Sequence, residues 1–407
     1  MPGDRPSNPI SDDPRARQLL ALTLVPNLGP VLINRLLERF GSPEGVLGAT
    51  ASALSGTRGI GRTLAAQIAR DLAGIHPRVD EELEKIQKSG AHVVTLFDDG
   101  YPPLLAQVPG APPVLTVRGE LRSHDRDRYT ISIVGSRKCT LYGSEQATRF
   151  SGALASAGLT VVSGGARGID TAAHKGALSV NGRTTVVLGC GLKHTYPPEN
   201  ERLFAEIVDR GGAIVSELPI ETAPVPRNFP ARNRIISGMS LGVIVIEAAK
   251  GSGALITARH ATEDHGREVM GIPGRVDAPA SAGTNELLKS GAHLVTEPSD
   301  VLEILERDAR HLFAGTHHAR TADPRTDVPL SSGVYPRPAV KTDPLAGVTD
   351  PVERSIIEGL GEPRTGDELA ELLAMTPGEV RAKLTMLEIS GRVRRVGSRF
   401  CVTTSGG

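Results

Sequence analysis

The sequence predicts an α/β protein: a doubly wound, Rossmann-like parallel sheet with an N-terminal helical module before it and a C-terminal winged helix after it. Three observations carry this. Across residues 129 to 305 a β-branched run, a glycine turn and a helix recur in that order. Before them, two glycine-bearing turns each open an apolar-periodic helix. After them come three helices and a basic hairpin.

The first residues, 1–14, are polar and proline-rich and read as a disordered tail with no signal-peptide core. Residues 15–80 hold "LVPNLGPVLINRLLERFG" and "GTRGIGRTLAAQIARDL", which resemble a tandem helix-hairpin-helix, or SAM-like, module. Such a hairpin can aim backbone N–H groups at a phosphate, or it can simply pack. Residues 81–305 form the extended sheet domain. Its opening connector carries "AHVVTLFDDGYPPLL" and "PPVLTVRG", two proline-flanked runs expected as edge strands. The runs "YTISIVG", "LTVVSGG", "TTVVLGCG", "GAIVSE", "LGVIVIEA", "REVMGIPG" and "AHLVT" are nearly continuous apolar stretches. Strands buried on both faces have that signature. Strand–helix alternation then implies parallel pairing through right-handed crossovers, with ligands beyond the carboxyl ends of the strands.

Residues 306–348 lose periodicity and read as a linker. Residues 349–407 regain it. Thr365 is expected to cap "TGDELAELLAM", and Thr376, Pro377 and Gly391 to punctuate "TPGEVRAKLTMLEISG". "RVRRVGSRFCVT" is expected as a hairpin turning at Gly397-Ser398. Three helices and a β wing make a winged helix. Arg392, Arg394, Arg395 and Arg399 either meet a duplex backbone or form a solvated basic hairpin.

Charge and composition exclude several classes. The 46 basic and 46 acidic residues cancel, so any polyanion contact must be a local patch. Cys139, Cys190 and Cys401 are scattered, which leaves no zinc pattern or disulfide framework. No apolar run reaches membrane-spanning length, so a cytoplasmic protein with no membrane partner is expected. No G-x-G-x-x-G or G-x-x-x-x-G-K-[ST] loop is present, so no nucleotide cofactor is expected.

The loops at the strand ends are rich in anion donors. Gly135, Ser136, Arg137 and Lys138 follow the first parallel strand: glycine for close approach, a hydroxyl, and a guanidinium fork. Ser163, Gly164 and Gly165 can form a backbone nest, with Arg167 and Lys175 adding charge. Asp170 and His174 share a helix face, yet no serine or cysteine nucleophile is paired with them. Asp170 is therefore expected to cap and orient. A third loop, "FPARNRIISG", offers Phe229 beside Arg232, Asn233 and Arg234. Either Phe229 stacks a base while arginines meet phosphates, or it belongs to the core. Gly251-Ser252-Gly253 precede a helix whose free N–H groups face the same rim. No catalytic residue and no metal ligand is assigned.

Taken together, "IVGSR", "VSGGARGIDTAAHKGAL", "YPPENERL", "ISE", "FPARNRIISG", "EA…SGALITARHA" and "PG…GTNELLKSGA" closely resemble the DNA-processing protein A (DprA, Smf) family in order and spacing. The resemblance spans the central domain, and the flanking modules resemble the family's three-domain form. It implies a non-enzymatic, homodimeric single-stranded DNA binder that loads the RecA recombinase during natural transformation. It places DNA contacts on Gly135, Ser136 and Arg137, and at Phe229 with Arg232 and Arg234. It places the dimer surface on "NELLKSGAHLV", with Leu288 and Leu294 as apolar anchors. The winged helix would be a double-stranded DNA contact. Two other classes remain open. One is a nucleotide-processing enzyme similar to nucleoside phosphoribohydrolases, although its compact P-G-G-x-G-T motif is here split between "IPG" and "GTNE". The other is a winged-helix transcription regulator.

Overall fold

The computed structural model describes residues 13–123, 127, 129–305, 350–362, 364–389, 392–396 and 399–402. The expected tail through residue 12, the linker over 306–348, Gly391 and the Gly397-Ser398 turn lie outside the described residues. The chain divides into two compact units at the Pro298–Ser299 boundary.

Six helices open the first unit: α1 (Pro14–Thr23), α2 (Pro30–Phe40), α3 (Pro43–Leu47), α4 (Ala51–Ser55), α5 (Arg62–Ala73) and α6 (His76–Lys88). Short polar side chains start several of them. Asp13 accepts from Arg15 N at 2.9 Å, Ser42 from Gly45 N at 3.1 Å and Thr50 from Ala53 N at 3.3 Å. Helices α2 and α5 instead begin on Gly29 and Gly61, with no side-chain cap. The apolar stripes carry Leu19, Leu22, Ile33, Leu36, Leu54 and Ile68 into one core, which continues into Val186, Phe204 and Ile214 of the sheet layer. The helical module therefore shares its core with one face of the sheet.

That sheet has nine strands in the order β1-β2-β6-β5-β4-β3-β7-β8-β9. They are β1 (His92–Thr95), β2 (Val114–Gly119), β3 (Thr130–Val134), β4 (Thr160–Ser163), β5 (Thr184–Val187), β6 (Ala213–Ser216), β7 (Gly242–Val245), β8 (Glu268–Gly271) and β9 (His293–Leu294). Each of the seven apolar runs expected from the sequence supplies one of β3 to β9, all paired in parallel. The two connector runs join antiparallel at one end. Only β1 is an edge there, contrary to expectation. β2 lies between β1 and β6, with Leu115 and Val117 fully buried.

Alternate strand residues feed different cores. Val186 and Ile214 join the helical module's cluster, whereas Val187, Ala213 and Val215 face the opposite layer. Between the strands run α7 (Pro103–Ala106), α8 (Leu141–Ser156), α9 (Ile169–Ser179), α10 (Glu201–Asp209), α11 (Asn228–Gly238), α12 (Gly253–Arg259) and α13 (Ala282–Lys289). Residues of α9 and α10 enter the first core; Ile235, Ile236, Ala254 and Ala258 of α11 and α12 enter the second. At the base of the sheet, Arg183 and Asp127 form a buried bidentate pair, with Nε–Oδ1 at 2.7 Å and Nη2–Oδ2 at 2.6 Å. Strand order reverses at β3, which lies between β4 and β7: Ser132 is in register with Val162 on one side and Val243 on the other. A reversal of this kind opens a crevice at the carboxyl ends of the two strands.

In the second unit, residues 299–305 are helical (α14). Then come α15 (Pro351–Gly359), α16 (Gly366–Leu373), α17 (Pro377–Ile389) and the antiparallel pair β10 (Val393–Val396) and β11 (Arg399–Val402). Thr365 caps α16 in a reciprocal box with Glu368, at 3.2 and 2.8 Å. Thr376 accepts from Glu379 N at 3.4 Å. Ile356, Leu369, Val380, Leu384 and Phe400 form the core of this winged helix. The side chains of Arg394 and Arg395 lie outside the described residues.

Candidate nucleic-acid interface

The crevice at the reversal is an open cleft of about 740 Å³. Its walls are the turn after β3, the start of α11 and the turn before α12. Of the residues the sequence singled out, Gly135, Ser136, Arg137, Lys138, Phe229, Arg232, Asn233, Ser252 and Gly253 line it.

The β3 turn is held by its backbone. Ser136 N donates to Glu247 O at 2.7 Å, and Ser136 O accepts from Ile169 N at 3.2 Å. Ser136 Oγ accepts from Lys138 N at 3.1 Å. Below the turn, Glu247 accepts from Thr140 N at 3.0 Å and from the Thr140 hydroxyl. Glu247 is thereby turned into the protein. Gly135 was expected to let an anion approach, but the space a Cβ would take is filled by Ile169 and Glu247 O, at 2.5 and 2.9 Å. Its small size serves packing. Arg137 and Lys138 are left pointing to the cleft, and neither has an ion-pair partner among the described residues.

The segment read from the sequence as a third loop is instead the body of α11. Half-buried Phe229 presents its ring between two neighbours. Tyr196 lies 5.3 Å away centroid to centroid, and the Arg137 guanidinium stands 5.2 Å over the ring. Arg232 is 4% exposed and lies in the cleft floor. Its Nη1 donates to Gly164 O at 2.7 Å and to Val187 O. Burial lowers its pKa to about 10, so it stays cationic at neutral pH. Asn233 Nδ2 donates to Gly253 O at 3.0 Å, joining α11 to the α12 turn. Ser252 caps α12.

Five expected contacts fall outside the cleft. Gly164 and Gly165 form no open nest. The Arg232 guanidinium fills the space over Gly164, and Val186 and Phe204 fill that over Gly165. Arg167 is exposed and paired with Glu199. Lys175 is exposed on α9, away from the crevice walls. Arg234, two positions beyond Arg232, points to the other side of α11 and is ion-paired with Glu217; both are largely buried.

Asp170 is the one carboxylate among the residues that line the cleft. It accepts from Ala166 N at 3.2 Å and so holds the turn before α9; the helix itself has no side-chain cap, contrary to the capping expectation. Burial pushes its pKa up to about 6 against the pull of Arg232 and Arg137. His174, one turn further, lies in the core with Nδ1 2.7 Å from Thr184 Oγ1, and burial drives its pKa down to about 3. It stays neutral and away from the cleft. Glu286, the acid of the split "GTNE" motif, is exposed and pairs with Lys250 at 3.3 Å. Gly251, read with Ser252 and Gly253, lines the cleft as expected, whereas Tyr196 and Lys250 line it and were not singled out. Only the aromatic in "YPPENERL" hinted at one of them.

The arrangement is a cationic, donor-rich trough with one stacked aromatic. The Ser136 and Ser252 hydroxyls in it accept from the Lys138 and Ala254 backbone N–H groups. A family model described as "DNA recombination-mediator protein A" matches residues 92–306, and one described as "DprA winged helix domain" matches 339–398. The chain is 35% identical to Protein Smf of Synechocystis sp. over 392 residues, covering 94% of this chain and 97% of that one. It is 38% identical to Protein Smf of Escherichia coli, over 81% of this chain and 82% of that one. In three dimensions it is similar to the X-ray structure of DNA processing protein A from Streptococcus pneumoniae, with TM-score 0.60 and 34% identity, covering 71% of this chain and 96% of that one.

Proposed function

The chain belongs to the DNA recombination-mediator protein A family, DprA/Smf, and we propose that it binds single-stranded DNA in the β3–α11–α12 cleft without breaking bonds. One observation carries this: Arg137 stands over the Phe229 ring in an open trough lined by Lys138 and by the turn that opens α12. A flexible strand can lay a base against the ring while its phosphates meet the cations. Contacts of that kind read no base edges, so binding is independent of sequence and falls steeply with salt. We infer that the strand so held is passed to the RecA recombinase during natural transformation; the family's description as a recombination mediator supports the mediator part of this reading.

Two copies associate through α13 and β9. Leu294 is 58% exposed on the edge strand β9, whose open backbone groups offer a template for pairing with a second chain. Leu288 is half-buried beneath, close against Gly271 of β8. Leu294→Arg is expected to give monomers by light scattering, since a buried unpaired charge is costly; an intact dimer would move the interface elsewhere.

The function itself is tested by titrating labelled single-stranded oligonucleotides into the full chain, wild type and Phe229→Ala, at rising salt. Weaker binding of the variant and a steep salt slope are expected. Tight uptake of a free mononucleotide with release of its base would replace the proposal with the hydrolase alternative.

A further inference from the structure

The two helical hairpins of the N-terminal module share a plan but are spent differently. In the first, α1-turn-α2, the turn is buried: Leu24, Val25 and Leu28 are 9%, 3% and 4% exposed. Arg78 Nη2 donates to Leu24 O at 2.9 Å, and Asn34 Nδ2 donates to Ala111 O at 3.0 Å. Val31 lies so close to Gly110 that a Cβ there would sit 2.9 Å from Val31 Cγ2. This hairpin docks the module onto the sheet domain.

The second hairpin, α4-turn-α5, buries the same positions, with Leu54, Thr57 and Ile60 at 0%, 6% and 3% exposure, but gathers positive charge at its exposed ones. Arg58 and Arg62 are exposed in and just after its turn. Two arginines of α2 reach it from the side. Arg35 Nη1 donates to Arg58 O at 3.1 Å, and the Arg39 guanidinium lies against Gly56, where a Cβ would be 2.4 Å from it. Among the described residues none of these four arginines has a carboxylate partner. Other arginines of the module and the sheet, such as Arg17, Arg149, Arg167 and Arg210, are ion-paired; Arg70, Arg202 and Arg259 are exposed without an ion pair among the described residues but stand singly, not as a cluster on one turn.

The turn also holds open donors. Gly61 caps α5 with φ −75° and ψ 167°, a conformation any residue can adopt, and a Cβ there would meet nothing within 4 Å. Neither backbone nor packing asks for glycine, and its lack of a side chain leaves the first N–H groups of α5 uncovered. Beside it, Thr57 is 6% exposed and its Oγ1 has no hydrogen-bond partner among the described residues.

We propose that this second hairpin is a separate binding site for the phosphodiester backbone of double-stranded DNA. Arg35 and Arg39 stand one helical turn apart on α2, about 5–6 Å between their Cβ atoms, so the patch addresses more than one phosphate. No exposed ring is available for stacking: Phe40, the aromatic at the patch, lies half-buried under the Arg39 guanidinium at 5.6 Å. Unlike the cleft, the hairpin can thus hold phosphates without unstacked bases. A duplex, which turns its phosphates outward and keeps its bases inside, meets that condition.

The site is tested on the full chain with a labelled duplex and a short labelled single strand, followed by anisotropy as salt is raised. Arg58→Ser/Arg62→Ser removes two exposed charges that support no packing. Gly61→Asp fills the open cap with a carboxylate while keeping a favoured N-cap residue, so α5 is not weakened. For the double variant, duplex affinity is expected to fall about tenfold or more at low salt and the log–log salt slope by about 2. Gly61→Asp is expected to weaken duplex binding with an unchanged or raised melting temperature. Short single-strand affinity should stay within about twofold, the ordinary range of surface substitutions away from a site. Unchanged duplex affinity and slope in both variants, absence of duplex binding by the wild type, or equal losses on both nucleic acids would overturn the proposal. Loss of single-strand binding in Arg137→Ala with duplex binding intact separates this site from the cleft.

Discussion

The turn after β3 and the turn after β4 lie at the carboxyl ends of neighbouring parallel strands, and both are built from serine, glycine and arginine. Their polar groups face different ways. The first, residues 135–138, anchors its backbone on Glu247 O and turns Arg137 and Lys138 outward to the cleft. The second, residues 163–168, is used up by the protein itself. Ser163 Oγ donates to Ile133 O at 2.6 Å, Gly164 O takes Arg232, and Gly165 packs on Val186 and Phe204. A glycine-rich turn marks a place where something comes close. Whether that something is a ligand or a neighbouring segment depends on the elements that surround it.

The sharpest way to break this comparison is at Gly168, where the two turns touch. Its φ of 75° and ψ of −123° suit only glycine, and a Cβ would lie 2.3 Å from Ser136 O. Gly168→Ala should lower stability by about 3 kcal/mol, combining backbone strain with overpacking. Urea denaturation measures this. A midpoint equal to wild type would show that the second turn is not the rigid support described here.

On the ligand side, Arg137→Ala should cost about 1.5–3 kcal/mol of single-strand affinity, the range of a charge-assisted contact, and leave the denaturation midpoint unchanged. Anisotropy at low salt checks the first part. Unaltered affinity would remove the β3 turn from the interface.

Asp170 couples the two turns through pH. Its folded pKa, about 6, lies above the ordinary 3.8. The folded state therefore holds this proton more tightly than the unfolded chain does. Stability from this group is largest at low pH and declines as pH rises from about 4 to about 6. Phosphates entering the cleft disfavour the carboxylate further, so binding takes up a proton. Single-strand affinity should rise severalfold as pH falls from about 7 to about 5.5, and Asp170→Asn should flatten that rise. An identical pH profile in the variant would place the titration elsewhere.

Much of this frame was legible because strands buried on both faces carry continuous apolar runs, which made β3 to β9 visible one by one. Arg137, Phe229 and Ser252 were readable as cleft residues because each follows or precedes a turn at a strand end. Arg232 and Arg234 were not separable as sequence. Once "FPARNR" is known to be helical, residues two apart must face different sides, and one arginine goes to the cleft floor while the other meets Glu217. The fate of Gly164 and Gly165 depended on Arg232 and Phe204, side chains 68 and 39 positions away in the chain and invisible to any local pattern. The same holds for Tyr196, brought to Phe229 by the fold alone.

The smallest expected effect is the most discriminating for the second turn. Arg167 was as good a phosphate ligand as Arg137 on sequence grounds: both follow a glycine-bearing turn at a strand end. In the fold its guanidinium is paired with Glu199 at the surface, both side chains about half exposed. An exposed, solvent-screened pair of this kind contributes little, and Arg167→Ala should leave both the denaturation midpoint and single-strand affinity close to those of the wild type. The Glu199 carboxylate left behind would, if anything, repel a strand approaching α9. An affinity loss matching that of Arg137→Ala would mean that DNA displaces Glu199 and recruits the second turn. The bound strand would then cross both turns and not the first alone.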